Sequence, residues 1–213
     1  AEAPRNAASG AEGVILSTGA YTRDETDLSI RGAMQGITLR RTYRSDINYD
    51  GPLGQNWVGF YFQRVEYSSG NIRWYTSTGR QELFSASGNG WIAPQGIYVK
   101  AERDSLHGTI LLTDRHGDRL RFDARGCLTA VIDRNGNCAE CVHDHLGQLT
   151  ELRDDRNGRV KVLYDASGRV DEFRDKVWDS ANPRSLRFVY NTQGELTRYK
   201  APTTARYFGP SRL

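Results

Sequence analysis

The chain has 213 residues, 38% of them hydrophobic and 26% charged, with a formal net charge of +3. That size and balance fit a globular chain with a real core and exclude a disordered one. The small excess charge does not argue for a nucleic-acid partner, and no apolar run approaches the roughly 20 residues of a membrane-spanning helix.

Taken in order, the first 13 residues, AEAPRNAASGAEG, lack the basic-then-apolar order of a signal peptide and read as a flexible lead. Val14 to Leu16 is a short apolar start before the turn Ser17-Thr18-Gly19. Tyr21 to Arg23 and Leu28 to Ile30 flank the acidic residues Asp24, Glu25 and Asp27. Ile37 to Tyr43 is a strand with Ile37, Leu39, Arg41 and Tyr43 on one face. After the loop signals Gly51-Pro52 and Gly54, alternation predicts one long aromatic strand from Val58 to Tyr67. Asn71 to Tyr75 pairs back onto it, and Gln81–Phe84, Trp91–Ala93 and Ile97–Lys100 are short strands. His107 to Thr113 leads into a periodic region. A soft change of character near Asp104 divides the chain into a lead (1–13), an irregular aromatic-rich β region (14–104), a repeat region (105–200) and a tail (201–213). No linker separates the two main parts, so one sheet is expected to run through both.

From Asp114 to Lys200 the chain repeats. Lines end at Gly126, Gly147, Gly168 and Gly194, with steps of 21, 21 and 26 residues; the polar insert at 178–184 explains the longer step. Four places before each Gly stand Phe122, His143, Tyr164 and Tyr190; six before stand Leu120, Cys141, Val162 and Phe188. A separation of two puts these on one strand face, which is apolar, while Arg119, Arg121, Glu140, Lys161 and Arg187 fall on the wetter face. Arginines in strands read as ladders paired with Asp and Glu. Three before each Gly comes Asp123, Asp144, Asp165 or Asn191, a side chain that accepts turn N–H groups while the Gly takes positive φ. Asp114–Gly117, Asp133–Gly136 and Asp155–Gly158 are expected to obey the same turn chemistry. The fold class is therefore all-β: antiparallel hairpin repeats in a curved, extended sheet. The apolar face is expected to be completed by further repeats or another chain.

YDASGRV (164–170), with the worn copies FDARGCL, HDHLGQL and YNTQGEL, resembles the tyrosine–aspartate (YD) repeat of the Rhs family. STGAYTRDETDLSIRG (17–32), LRRTYRS (39–45) and GPLGQNW (51–57) resemble the region that precedes those repeats. The resemblance spans Val14 to Lys200. It implies strands that spiral into a hollow β shell around a C-terminal toxin, as in bacterial toxin-delivery proteins including type VI secretion effectors. Related shells in teneurins serve cell adhesion. With about four lines, this chain resembles the N-terminal piece of a shell. The family's self-cleaving motif with paired aspartates has no match near Tyr199 to Leu213. The partners implied are an enclosed toxin polypeptide or further shell segments. The location implied is bacterial: cytoplasmic before export, or secreted.

Chemistry-bearing candidates are few. Cys127, Cys138 and Cys141 are an odd, clustered set rather than a disulfide framework. Cys138, Cys141, His143 and His145 have the residue types of a zinc site. The repeat alignment makes Cys141 and His143 core substitutions, and parity sends Cys138 the other way, so no metal or other cofactor is expected. No run of oxygen ligands ends in a bidentate Glu, so calcium is not expected either. No serine or histidine has the context of a catalytic triad, so the reading is non-enzymatic. Asp133 and the Asp154-Asp155 pair, beside Arg134, Arg153 and Arg156, read as surface charge. The rival to a shell wall is a carbohydrate- or surface-binding module that presents Trp57, Trp74 or Trp91; a wall would bury them. Self-association through the open sheet is a further possible partner mode.

Overall fold

The computed structural model describes residues 9–10, 13–16, 18–30, 36–106, 108–155, 158–175 and 185–200. Ser17, His107, Arg156, the 178–184 insert, the 201–213 tail and most of the lead lie outside the described residues. Among those described there is no α-helix.

The N-terminal part supplies β1 (Ser9–Gly10), β2 (Val14–Ile15), β3 (Ala20–Ile30), β4 (Ile37–Arg44), the two-residue strands β5 (Asp50–Gly51) and β6 (Gly54–Gln55), and β7 (Trp57–Gly59). β1, β2, β3, β4 and β7 form a five-stranded sheet, while β5 and β6 form a small hairpin. A single 3₁₀ turn, Phe60–Phe62, follows. Then come β8 (Arg64–Ser68), β9 (Asn71–Tyr75), β10 (Gln81–Ser87), β11 (Gly90–Ile92), β12 (Val99–Asp104), β13 (Thr109–Asp114) and β14 (Arg119–Phe122). The last seven are β15 (Leu128–Ile132), β16 (Cys138–His143), β17 (Leu149–Asp154), β18 (Arg159–Tyr164), β19 (Val170–Asp175), β20 (Ser185–Tyr190) and β21 (Leu196–Lys200). From β8 to β21 each strand pairs with its sequence neighbour, giving one 14-stranded antiparallel meander that does not close into a barrel.

One local expectation is corrected. Val58 to Tyr67 is not one strand. The 3₁₀ turn ends the first sheet and starts the second, burying Tyr61, whose ring stacks edge-on to Phe60 at 5.1 Å. Alternation over aromatic residues could not separate a strand from a buried turn. The acidic stretch from Asp24 to Asp27 lies inside a strand: β3 runs through it and pairs with β4, which carries Arg40 and Arg41, with an irregularity between Thr26 and Leu28. The long sheet runs through Asp104, in the β12–β13 hairpin, and the break between the two main sheets falls at Phe60–Gln63.

The meander curls around the N-terminal layer. Buried Leu28, Ile37, Leu39, Leu53 and Tyr61 share one core with Ile72, Phe84, Ile110, Leu112, Phe122, Leu152, Val162, Phe173 and Phe188. Among the described residues the apolar face that the repeats present is therefore covered by Leu28, Ile37, Leu39, Leu53 and Tyr61 of the N-terminal layer, contrary to the expectation of an external cover. The alternating pattern shows that a face must be buried but not by what. Curvature is visible in contacts between distant strands. Val65 N of β8 donates to Gly126 O at 2.9 Å, although Gly126 lies in the β14–β15 turn. A Cβ on Gly126 would strike the Val65 carbonyl, so this close approach requires glycine.

Candidate functional site

The repeat turns are built alike. Asp123 Oδ1 accepts from Arg125 N and Cys127 N, Asp144 Oδ1 from Leu146 N and Gln148 N, and Asp165 Oδ1 from Ser167 N and Arg169 N. Asn191 Oδ1 accepts from Gln193 N and Glu195 N. Gly126, Gly147, Gly168 and Gly194 have φ between 79° and 85°. The intervening turns at Asp114 and Asp133 repeat this bonding. So Asp133 caps a turn, as the turn chemistry requires, and is not simply surface charge. At the next turn the expected acceptor, Asp155, is replaced by Asp154, whose Oδ1 takes Gly158 N at 2.6 Å. The turn starts one residue earlier, and Gly158 occupies the slot that Asn137 fills at the preceding turn.

The tyrosines of the repeat link one copy to the one before. Tyr164 Oη donates to Leu149 O, and Tyr190 Oη to Val170 O, both at 2.8 Å. Each acceptor lies two residues after the Gly of the preceding copy. His143 and Phe122 occupy the same slot without a hydroxyl. Burial raises the pKa of both phenols, so they stay protonated and remain donors.

Each repeat strand also carries a bulge that the sequence reading missed. Register shifts fall between Arg121/Phe122, Val142/His143, Leu163/Tyr164 and Val189/Tyr190. The extra residue opposite is Thr129, Thr150, Asp171 or Thr197. Each threonine donates its hydroxyl across to the carbonyl of Arg121, Val142 or Val189, at 3.0 to 3.1 Å. The recurrence of Thr three places after the Gly was the available signal.

Two devices hold the N-terminal layer inside the curve. Arg41 pairs with Asp27 and lies 4.1 Å from the Trp57 ring, 5.4 Å from Phe188 and 5.2 Å from Tyr199. Desolvation raises the Asp27 pKa in spite of Arg41. The small hairpin then seats on two repeat turns: Arg169 bonds both Asp50 oxygens, Val170 N donates to Pro52 O at 2.7 Å, and Gln55 N donates to Gly194 O at 3.0 Å. Gly54 has φ +87°, and a Cβ there would meet Gly194 O at 2.7 Å and the Tyr190 ring at 2.9 Å. The GPLGQNW stretch thus carries the hairpin that grips Gly168 and Gly194.

The cysteine–histidine cluster is dispersed. Cys141 is buried at register with Leu152, Cys138 lies opposite Ile132, and His145 is exposed in a turn. Among the described residues no three His, Cys, Asp or Glu side chains come together as a metal group. Burial pushes the Cys141 and Cys138 thiols up and the His143 imidazole down, favouring the neutral form of each. The expected charge ladders are present on the outer face: Arg174 and Arg187 both meet buried Glu172, at 2.8 and 3.3 Å, and Arg153 meets Glu151 at 2.7 Å.

Trp74 and Trp91 are buried and Trp57 is half-buried. Between the N-terminal layer and the long sheet lies a cleft of about 590 Å³, with Leu112, Leu120 and Val131 from the repeats on one side and Arg40 and Thr42 of β4 on the other.

The fold defines a hairpin-repeat β wall wrapped on its own N-terminal layer. Residues 11–84 match the family described as "Domain of unknown function (DUF6531)". The chain is also similar to "Double-stranded DNA deaminase toxin A" of Burkholderia cenocepacia (strain H111), at 27% identity over 209 residues. That match covers 82% of this chain but only 14% of the relative, so the chain corresponds to a small part of a toxin-named protein.

Proposed function

We propose that this chain is a non-enzymatic wall segment of an Rhs-type β shell, which holds or presents a toxin polypeptide in a bacterial delivery system. The observation that carries this reading is the uninterrupted meander from β8 to β21, whose apolar face turns inward around the N-terminal layer. A wall needs identical, self-pairing units that extend by addition, and the turn, bulge and tyrosine links supply one such unit. β21 has β20 on one side and no further strand of the described chain on the other, so the sheet can accept another hairpin there. The toxin named in the relative is far longer than the matched region, which leaves room for both more wall and a cargo. The burial of Trp74 and Trp91 favours a wall over a glycan-presenting surface.

The test is protease protection. The parent protein, with the native continuation after Leu213, is treated with a nonspecific protease under native conditions. The C-terminal polypeptide should survive until the wall is unfolded by denaturant. Digestion of that polypeptide at the rate of a free, unfolded control overturns the reading.

A further inference from the structure

Among the described residues two tryptophans, Trp74 and Trp91, are buried, and they differ. Trp91 Nε1 donates to Gly70 O at 2.8 Å. Trp74 is 7% exposed, yet its Nε1 is buried and has no hydrogen-bond partner. A buried N–H without an acceptor is costly and rare in folded proteins. Trp74 lines the inter-layer cleft. Its cross-strand neighbours are Val65 and Glu82. Glu82 is itself a nearly buried carboxylate on the inner face, held by Arg80 at 2.8 Å. An indole donor and a carboxylate acceptor therefore stand side by side, both lining the same cavity.

We propose that the cleft binds a stretch of extended polypeptide, with one main-chain carbonyl accepting from Trp74 Nε1 and an adjacent main-chain N–H donating to Glu82. A peptide strand offers this donor–acceptor alternation at regular spacing. The floor of Leu112, Leu120 and Val131 suits apolar side chains on one face of such a strand. The charge of the lining excludes a polyanion as the fitting ligand, since five arginines are balanced by five Asp and Glu residues. The Trp74 ring itself offers a sugar no stacking face, because it packs against Phe84 at 6.5 Å and is almost wholly covered. This inference rests on the proposed wall function for where the peptide comes from, and it adds the place and chemistry of the grip.

The test reads the Trp74 indole N–H by ¹H–¹⁵N NMR in the ¹⁵N-labelled chain, assigned through Trp74→Phe. The probes are a degenerate library of end-blocked hexapeptides, maltotetraose and a dodecathymidylate. The peptide library should shift the Trp74 indole saturably and leave the Trp91 indole in place. Trp74→Phe, with an unchanged thermal midpoint, should weaken peptide binding about tenfold, the worth of one hydrogen bond. Ser77→Trp, which narrows the cleft while leaving the Trp74 indole in place, should abolish it and carries the test should Trp74→Phe unfold the chain. No shift with peptides, or a shift with the sugar or the oligonucleotide instead, overturns the proposal. If peptides fail while the C-terminal polypeptide of the parent is still protected, only the cleft assignment falls; if protection is absent as well, the wall function falls with it.

Discussion

Asp27 and Arg41 meet through two hydrogen bonds, Nε to Oδ2 at 2.6 Å and Nη2 to Oδ1 at 3.0 Å, with each side chain only 3% exposed. The pair sits where the inner layer touches the last two repeat strands, since Arg41 also faces Phe188 and Tyr199. Removing one member of a buried pair strands the other charge, at about 3–5 kcal/mol. Arg41→Met should therefore lower stability by that order, measured by denaturant unfolding at pH 8. The Asp27 pKa is raised in the folded chain, so its contribution is fully present below the ordinary carboxylate value and is lost as pH rises through the folded value. The Arg41→Met deficit should accordingly shrink between pH 8 and pH 5. A deficit that grows on acidification would sink this account.

The turn carboxylates behave in the opposite sense. Hydrogen bonding from Gln148 N holds the Asp144 pKa below its usual value, and the Asn137 side chain does the same for Asp133. Their stabilising effect is present above the unfolded value, about 3.9, and disappears as pH falls through the lower folded one. Asp144→Asn should keep the turn, as Asn191 already does, while removing its share of the acid-side loss. Asp144→Ala should lower the thermal midpoint at neutral pH. Melting curves of the three proteins at pH 7 and pH 3 separate these outcomes.

Tyr164→Phe removes the hydroxyl that reaches Leu149 O and changes nothing else in the ring. The expected cost is about 1 kcal/mol, and the same holds for Tyr190→Phe. The two acceptors belong to different copies, so the double variant should lose roughly the sum. Equal stability of Tyr164→Phe and the parent would show that the link is geometric only.

One copy of the bulge is incomplete. Asp171 stands where Thr129, Thr150 and Thr197 donate to the opposite strand. Asp171→Thr should supply the missing hydroxyl bond and stabilise the chain by up to about 1 kcal/mol. Thr150→Val should destabilise it by a similar amount. Both are read from the urea midpoint.

Gly54→Ala combines positive φ with a clash against Gly194 O and the Tyr190 ring. It should free the small hairpin from the repeats, which hydrogen exchange reports directly: the Val170 and Gln55 amides should lose protection while that of Leu152 is kept.

The repeats were legible because their signals are local. Asp123 and Gly126, or Asp165 and Gly168, sit at fixed offsets within one turn, and Val160 and Val162 share parity within one strand. Asp154 was missed in favour of Asp155 because the two carboxylates are adjacent and strand pairing, not composition, chooses between them. Arg41 was placed correctly on the apolar face of its strand, but its partner Asp27 lies across a hairpin, and nothing local to either residue pairs them. The cleft was not legible at all. Trp74 and Glu82 come from neighbouring strands, while the opposite wall of Arg40 and Thr42 comes from another sheet.

The order of pairing along the chain has a consequence for how the molecule is made. Every strand from β9 onward closes on the one just synthesised, so this part can form as it leaves the ribosome, at little loop-closure cost. The N-terminal layer cannot finish in that way. Asp50 must wait for Arg169, 119 positions later, and Arg41 for Phe188 and Tyr199. The N-terminal layer, made before the repeats, is thus the last to dock, and until β20 and β21 appear the nascent chain carries an exposed inner layer in need of protection from aggregation.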